Sequence, residues 1–109
     1  MKSDDYVMAI IWHANPFRGD KFEDAWRPAA EAALDYGATY WALMRSKDDS
    51  ADFLQIAAFP DKKAWERYWF SEEIAEARAE AHGLYEVPVL PVWFRATGAG
   101  ELVEEGVSP

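Results

Sequence analysis

Residues Ala51–Glu80 read ADFLQIAAFPDKKAWERYWFSEEIAEARAE, and this stretch decides the fold. Its opening, Asp52 to Phe59, is an apolar run of strand length that stops at Pro60-Asp61. Asp61 is a helix-capping residue, and behind it Ala64, Trp65, Tyr68 and Trp69 share one stripe at helical spacing. Ser71 then opens a second helix, with Glu72 and Glu73 where negative charge favours the helix dipole.

The flanking sequence supplies the other elements. Tyr6 to Ala14 (YVMAIIWHA) reads as a strand, and Asn15-Pro16-Phe17-Arg18-Gly19 as a loop. Asp20 is placed to cap a helix carrying Phe22, Ala25, Trp26, Ala29, Ala33 and Leu34, with Gly37 as its stop. Pro28 lies inside that helix and is expected to kink or split it. A second strand runs from Thr39 to Arg45, and a polar turn, Ser46 to Ser50, returns the chain into the third. Helices over 61–70 and 71–82 follow, and Gly83 closes the latter. The last strand falls within Val87 to Ala96, where Pro88 and Pro91 push it toward a sheet edge or a bulge. The order strand, helix, strand, strand, helix pair, strand predicts a ferredoxin-like α+β fold. That is a four-stranded antiparallel sheet with helices on one face. Residues 1–96 make the single domain, and 97–109, TGAGELVEEGVSP, a Gly-rich acidic tail expected to be mobile.

A chain of 109 residues holds one core and not two, and six Trp supply much of the area to fill it. The net charge of −9 argues against nucleic acid and anionic membranes, which attract Lys/Arg patches. The absence of cysteine excludes disulfides, thiolate nucleophiles and Cys-ligated metals. Two His without HxH or HxxxE-type spacing give no metal ligand set. The apolar run Tyr6 to Trp12 follows Asp4 and Asp5 and not a basic region, and no run reaches membrane-spanning length. A cytoplasmic protein is the expectation.

A half-exposed antiparallel strand alternates apolar with polar residues, and these strands do not. The first carries Met8, Ile10 and Trp12 on one side and Val7, Ala9, Ile11 and His13 on the other. The third sets Phe53, Gln55, Ala57 and Phe59 against Leu54, Ile56 and Ala58. Helices cover one face only, and a bare apolar sheet exceeds the patch a soluble monomer carries. The simplest cover is a second copy, so a homodimer through the open sheet face is expected.

The Pro60-Asp61 helix start, the aromatic stripe and the Ser71-started helix together resemble the antibiotic-biosynthesis-monooxygenase domains of the dimeric α+β barrel superfamily. The resemblance spans roughly Val7 to Arg95. It implies face-to-face dimers and a family range from cofactor-independent oxidation of polyketide phenols to haem breakdown. The haem-degrading branch pairs a helical Trp with a His about three turns on. Here Arg78 or Ala79 stands at that place and His82 falls too late, so haem is not implied. No cofactor is expected.

Chain direction brings His13, Arg18, Arg45 and His82 to one end of the fold, around the mouth of a cavity between helices and sheet. His13 and His82 are candidate proton carriers, since imidazole titrates near neutrality. A strand-end His and a helix-end His are more usually structural or solvent-exposed residues. Arg45 is a candidate anchor for an anionic phenolate or carboxylate, and the resemblance implies Asn15 beside it; Trp65, Tyr68 and Trp69 are a wall for a planar ligand or simply core. Gln55 is an orienting group or a satisfied amide. Two functions are thus expected to compete. One is cofactor-independent oxidation of a small aromatic or polyketide-like compound. The other is a non-catalytic small-ligand-binding or stress-related dimer.

Overall fold

A computed structural model describes residues 1–102. Strand β1 (Tyr6–His13) leads to helix α1 (Gly19–Glu31) and a 3-10 turn (Ala32–Tyr36). Strands β2 (Tyr40–Arg45) and β3 (Asp52–Phe59) form a hairpin. Helices α2 (Lys62–Trp69) and α3 (Glu72–Ala81) and the short strand β4 (Val92–Arg95) complete the order. The sheet is antiparallel with order β2-β3-β1-β4, the ferredoxin-like arrangement expected from the sequence. Beyond Arg95 the described residues add no helix or strand. Residues 103–109, the greater part of the expected mobile tail, lie outside the described residues.

Local chemistry explains the boundaries. The Asp61 carboxylate accepts from the Ala64 N–H at 2.9 Å and the Ser71 hydroxyl from the Ile74 N–H at 3.2 Å, so α2 and α3 each begin on a side-chain cap. Gly37 takes φ of 95°, a left-handed stop that glycine reaches without a Cβ penalty. The start of α1 differs from expectation. Arg18 holds the cap position with no side-chain bond, and Asp20 is already inside the helix. Asp20 is drawn away by Arg45, whose Nη1 donates to it at 2.8 Å. Pro28 stays within α1, and the helix tightens to 3-10 geometry one turn later, at Ala32.

The two sheet faces sort as the alternation predicts. Met8, Ile10, Trp12, Phe53, Ala57 and Phe59 face the helices and are buried. Phe22 and Trp26 from α1, Tyr68 from α2 and Ile74 from α3 close over them. One polar group sits at the centre. The Gln55 Oε1 accepts from both the Trp12 and Trp26 indole N–H groups at 3.0 Å, and its Nε2 donates to the Tyr68 hydroxyl at 3.1 Å. Tyr68 donates in turn to the Ala29 carbonyl at 2.7 Å. Ala29 lies in the last turn of α1, where carbonyls lose their intrahelical partners, so Tyr68 also finishes that helix. No buried side-chain polar atom among the described residues is left unpaired. Gln55 is therefore a satisfied core amide on the helix side.

Burial raises the Tyr68 phenol well above its ordinary range. The folded chain keeps this proton where an unfolded tyrosine, near pH 10, gives it up. The stability this adds is complete below that pH and drains as pH rises through it. Tyr68→Phe should cost about 1–3 kcal/mol at neutral pH, read as a shift in urea unfolding. Its deficit relative to wild type should then narrow above about pH 10. A gap unchanged at pH 11 would contradict the assignment.

Candidate functional site

The helix side of the sheet is packed. Trp65 stacks on Trp69 with centroids 5.0 Å apart and meets Trp93 edge-on at 4.6 Å. Trp69 lies beneath the Arg78 guanidinium at 4.3 Å, and Arg78 Nη1 donates to the Trp69 carbonyl at 2.8 Å. Burial lowers the Arg78 pKa from its ordinary value and raises that of Tyr85 nearby. Trp65 and Tyr68 are buried and Trp69 is partly buried, and none of the three lines a described hollow.

Arg45 closes the β2 end of the sheet. Its Nε donates to the Ser50 carbonyl at 2.6 Å, and its Nη1 reaches Asp20 and Glu23 at 2.8 and 3.1 Å. The guanidinium lies 5.0 Å from the Phe53 ring centre. The Asp20 carboxylate raises the Arg45 pKa above its ordinary value, with Glu23 adding to the effect. A Cβ at position 19 would collide with this guanidinium, so Gly19 is what lets α1 start so close. Asn15 serves as a strut, its Nδ2 donating to the Gly83 carbonyl at 2.7 Å.

The open face carries the largest hollow described, about 660 Å³, across β1, β3 and β4. Val7, Ile11, Leu54, Ile56, Leu90 and Phe94 supply much of its apolar lining. His13 is the one lining residue with an ionisable side chain. Its Nδ1 lies 2.7 Å from Asp52 Oδ1, the two being direct cross-strand partners at the end of the β1–β3 ladder. The expected common mouth is thus divided. His13, Arg45 and His82 do gather at one end of the fold, but His13 faces the open side and Arg45 the helix side. His82 is exposed just past α3 and does not line the hollow. Asp52 had no place in the sequence reading beyond starting a strand. Counting the β1–β3 register back from Tyr6 opposite Phe59 would have found it.

No family model matches the sequence, and neither does any curated protein. Solved structures do. A candidate antibiotic biosynthesis monooxygenase from Nitrosomonas europaea superposes with a TM-score of 0.79 at 16% identity, covering 88% of this chain and 93% of that one. The cofactor-independent oxygenase SnoaB from Streptomyces nogalater, in a mutant form, gives 0.75 at 16%, covering 89% and 97%. A third structure, described as an antibiotic biosynthesis monooxygenase, gives 0.74 at 15%, covering 84% and 97%. The chain has the antibiotic-biosynthesis-monooxygenase fold. At this identity the likeness is one of architecture. It spans 84–89% of this chain and 93–97% of the others. Among the described residues no helix is long and apolar enough to cross a membrane.

Arg45 emerges as a support of the α1 start within this fold. Arg45→Ala should lower stability by about 1 kcal/mol, because exposed ion pairs are screened. It should leave occupancy of the open-face hollow unchanged. Urea unfolding and equilibrium binding of an apolar fluorescent probe measure the two effects.

Proposed function

We propose that this protein is a cofactor-free oxidase or monooxygenase acting on a small, largely apolar phenol or polyketide-like compound. Its site on this reading is the open-face hollow and not the helix side. The observation that carries the reading is His13, a hydrogen-bonded imidazole at the rim of an otherwise apolar cavity of ligand size. The architectural likeness to a cofactor-independent oxygenase supports it.

The chemistry follows from that setting. The ring nitrogen of His13 takes the phenolic proton, and the electron pair stays on the substrate as an electron-rich phenolate. Its ring carbon reduces dioxygen. One oxygen atom enters the ring as the second quinone carbonyl and the other leaves as water, so phenol plus O2 gives quinone plus H2O. An apolar lining keeps bulk water from the anion. Two copies facing each other through this sheet would complete the chamber. Ile11, Leu90, Val92 and Phe94 are each at least half exposed in the single chain, which supplies the apolar surface for that contact.

A second reading is favoured by the packed helix side, where Trp65, Tyr68 and Trp69 leave no described cavity for a planar ligand. On that reading the protein is a non-catalytic small-ligand-binding dimer.

Oxygen uptake with phenols, anthrones and hydroquinones separates the two. Turnover should fall roughly 10²- to 10⁴-fold in His13→Ala, the range for loss of a general base. Trp69→Phe should alter stability more than turnover. Turnover unaffected by His13→Ala would overturn the proposed site, and probe binding without turnover would support the second reading. Sedimentation at micromolar concentration should show a dimer that Ile11→Glu disperses. A soluble wild-type monomer would remove the proposed chamber.

A further inference from the structure

The contact between His13 and Asp52 determines which ring nitrogen can act. A carboxylate accepts hydrogen bonds and donates none. At 2.7 Å from Asp52 Oδ1, the His13 Nδ1 must therefore carry the hydrogen. In the neutral ring that leaves the lone pair on Nε2, which makes no hydrogen bond to the described residues. We propose that Asp52 is the positioning residue of this site, holding His13 in the tautomer whose Nε2 is free to take a proton from a substrate in the hollow. The inference rests on the proposed function for the substrate, and on the geometry alone for the tautomer.

The mounting of the pair supports this role. His13 and Asp52 are register partners, so the backbone ladder sets their separation before either side chain is placed. Past the ladder, the Ala14 N–H donates to the Ala51 carbonyl at 2.8 Å, and the Glu86 N–H donates to the His13 carbonyl at 2.8 Å. Asp52 is fixed from the turn, its carbonyl accepting from the Ser46 N–H at 2.9 Å and its own N–H donating to Asp49 at 3.0 Å. Both backbones are held on two sides, and the side chains have only to meet. A contact between side chains 53% and 38% exposed adds little to stability. The arrangement therefore has its main consequence in orientation.

The proton balance is simple. The substrate O–H bond breaks, its electron pair stays on oxygen, and the proton binds His13 Nε2. The imidazolium that forms faces the Asp52 carboxylate through Nδ1–H, which stabilises the charge without Asp52 accepting the proton. Asp52 touches the imidazole and not the substrate.

Nitrogen-15 NMR of the His13 ring, recorded at a pH where the imidazole is neutral, tests the tautomer without any substrate. Wild type should show hydrogen on Nδ1. Asp52→Ala should move it to Nε2, and Asp52→Asn, which keeps an acceptor, should retain more of the Nδ1–H form. Both variants should fold, since the Asp52 side chain is 38% exposed. In the oxygen assay Asp52→Ala should lower kcat roughly 10- to 100-fold, the scale for partners that orient an imidazole, with KM within about twofold. A wild-type ring carrying hydrogen on Nε2, or a kcat unmoved by Asp52→Ala, would overturn the inference. Loss of turnover in His13→Ala with full activity in Asp52→Ala would sink the positioning role alone. Full activity in His13→Ala would sink the proposed function and this role together.

Discussion

The fold depends on one buried amide. Gln55 sits in β3 and joins an indole from β1, an indole from α1 and the hydroxyl of Tyr68 from α2. Each partner is a large aromatic that the core needs for area and whose polar tip the core must satisfy. Two indole N–H groups exhaust the lone pairs of one carbonyl oxygen, so the arrangement fixes three elements at once. A leucine here would leave two buried indole N–H donors without an acceptor, at the full desolvation penalty for each. The network gives the helix side a single packing arrangement, in the way fully satisfied polar cores do.

That packing has a functional consequence. Because Trp12, Trp26, Trp65 and Tyr68 fill the space between helices and sheet, the larger described hollow lies on the opposite face. The same β1 sends Trp12 into the core and, one residue later, His13 to the open side, a direct result of the two-residue period of a strand. One strand thus supplies both the centre of the packed layer and the ionisable group of the apolar one.

Much of this was legible in the sequence. The strand ends, the Asp61 and Ser71 caps and the Gly37 stop are local chemistry, and local chemistry survives folding. The two apolar faces followed from strands that lack apolar–polar alternation. The start of α1 was not legible, because Arg45, twenty-five residues away, competes for Asp20 through space. The candidate site was legible only in part. His13 could be named from its residue type and place, but whether it faces the helices or the open side depends on register. The aromatic stripe of α2 has the same spacing whether it walls a cavity or fills a core, and only the surrounding side chains decide.

The connection after α3 is tied to the tip of β1. Asn15 is bound to Gly83 and Leu84, Ala14 bridges Tyr85, and His13 is held by Glu86. Opening of the β1 tip is therefore coupled to that segment. Any fluctuation that frees the segment trailing α3 also loosens the imidazole, so the mobility of a helix on one layer limits the precision of a group presented on the other.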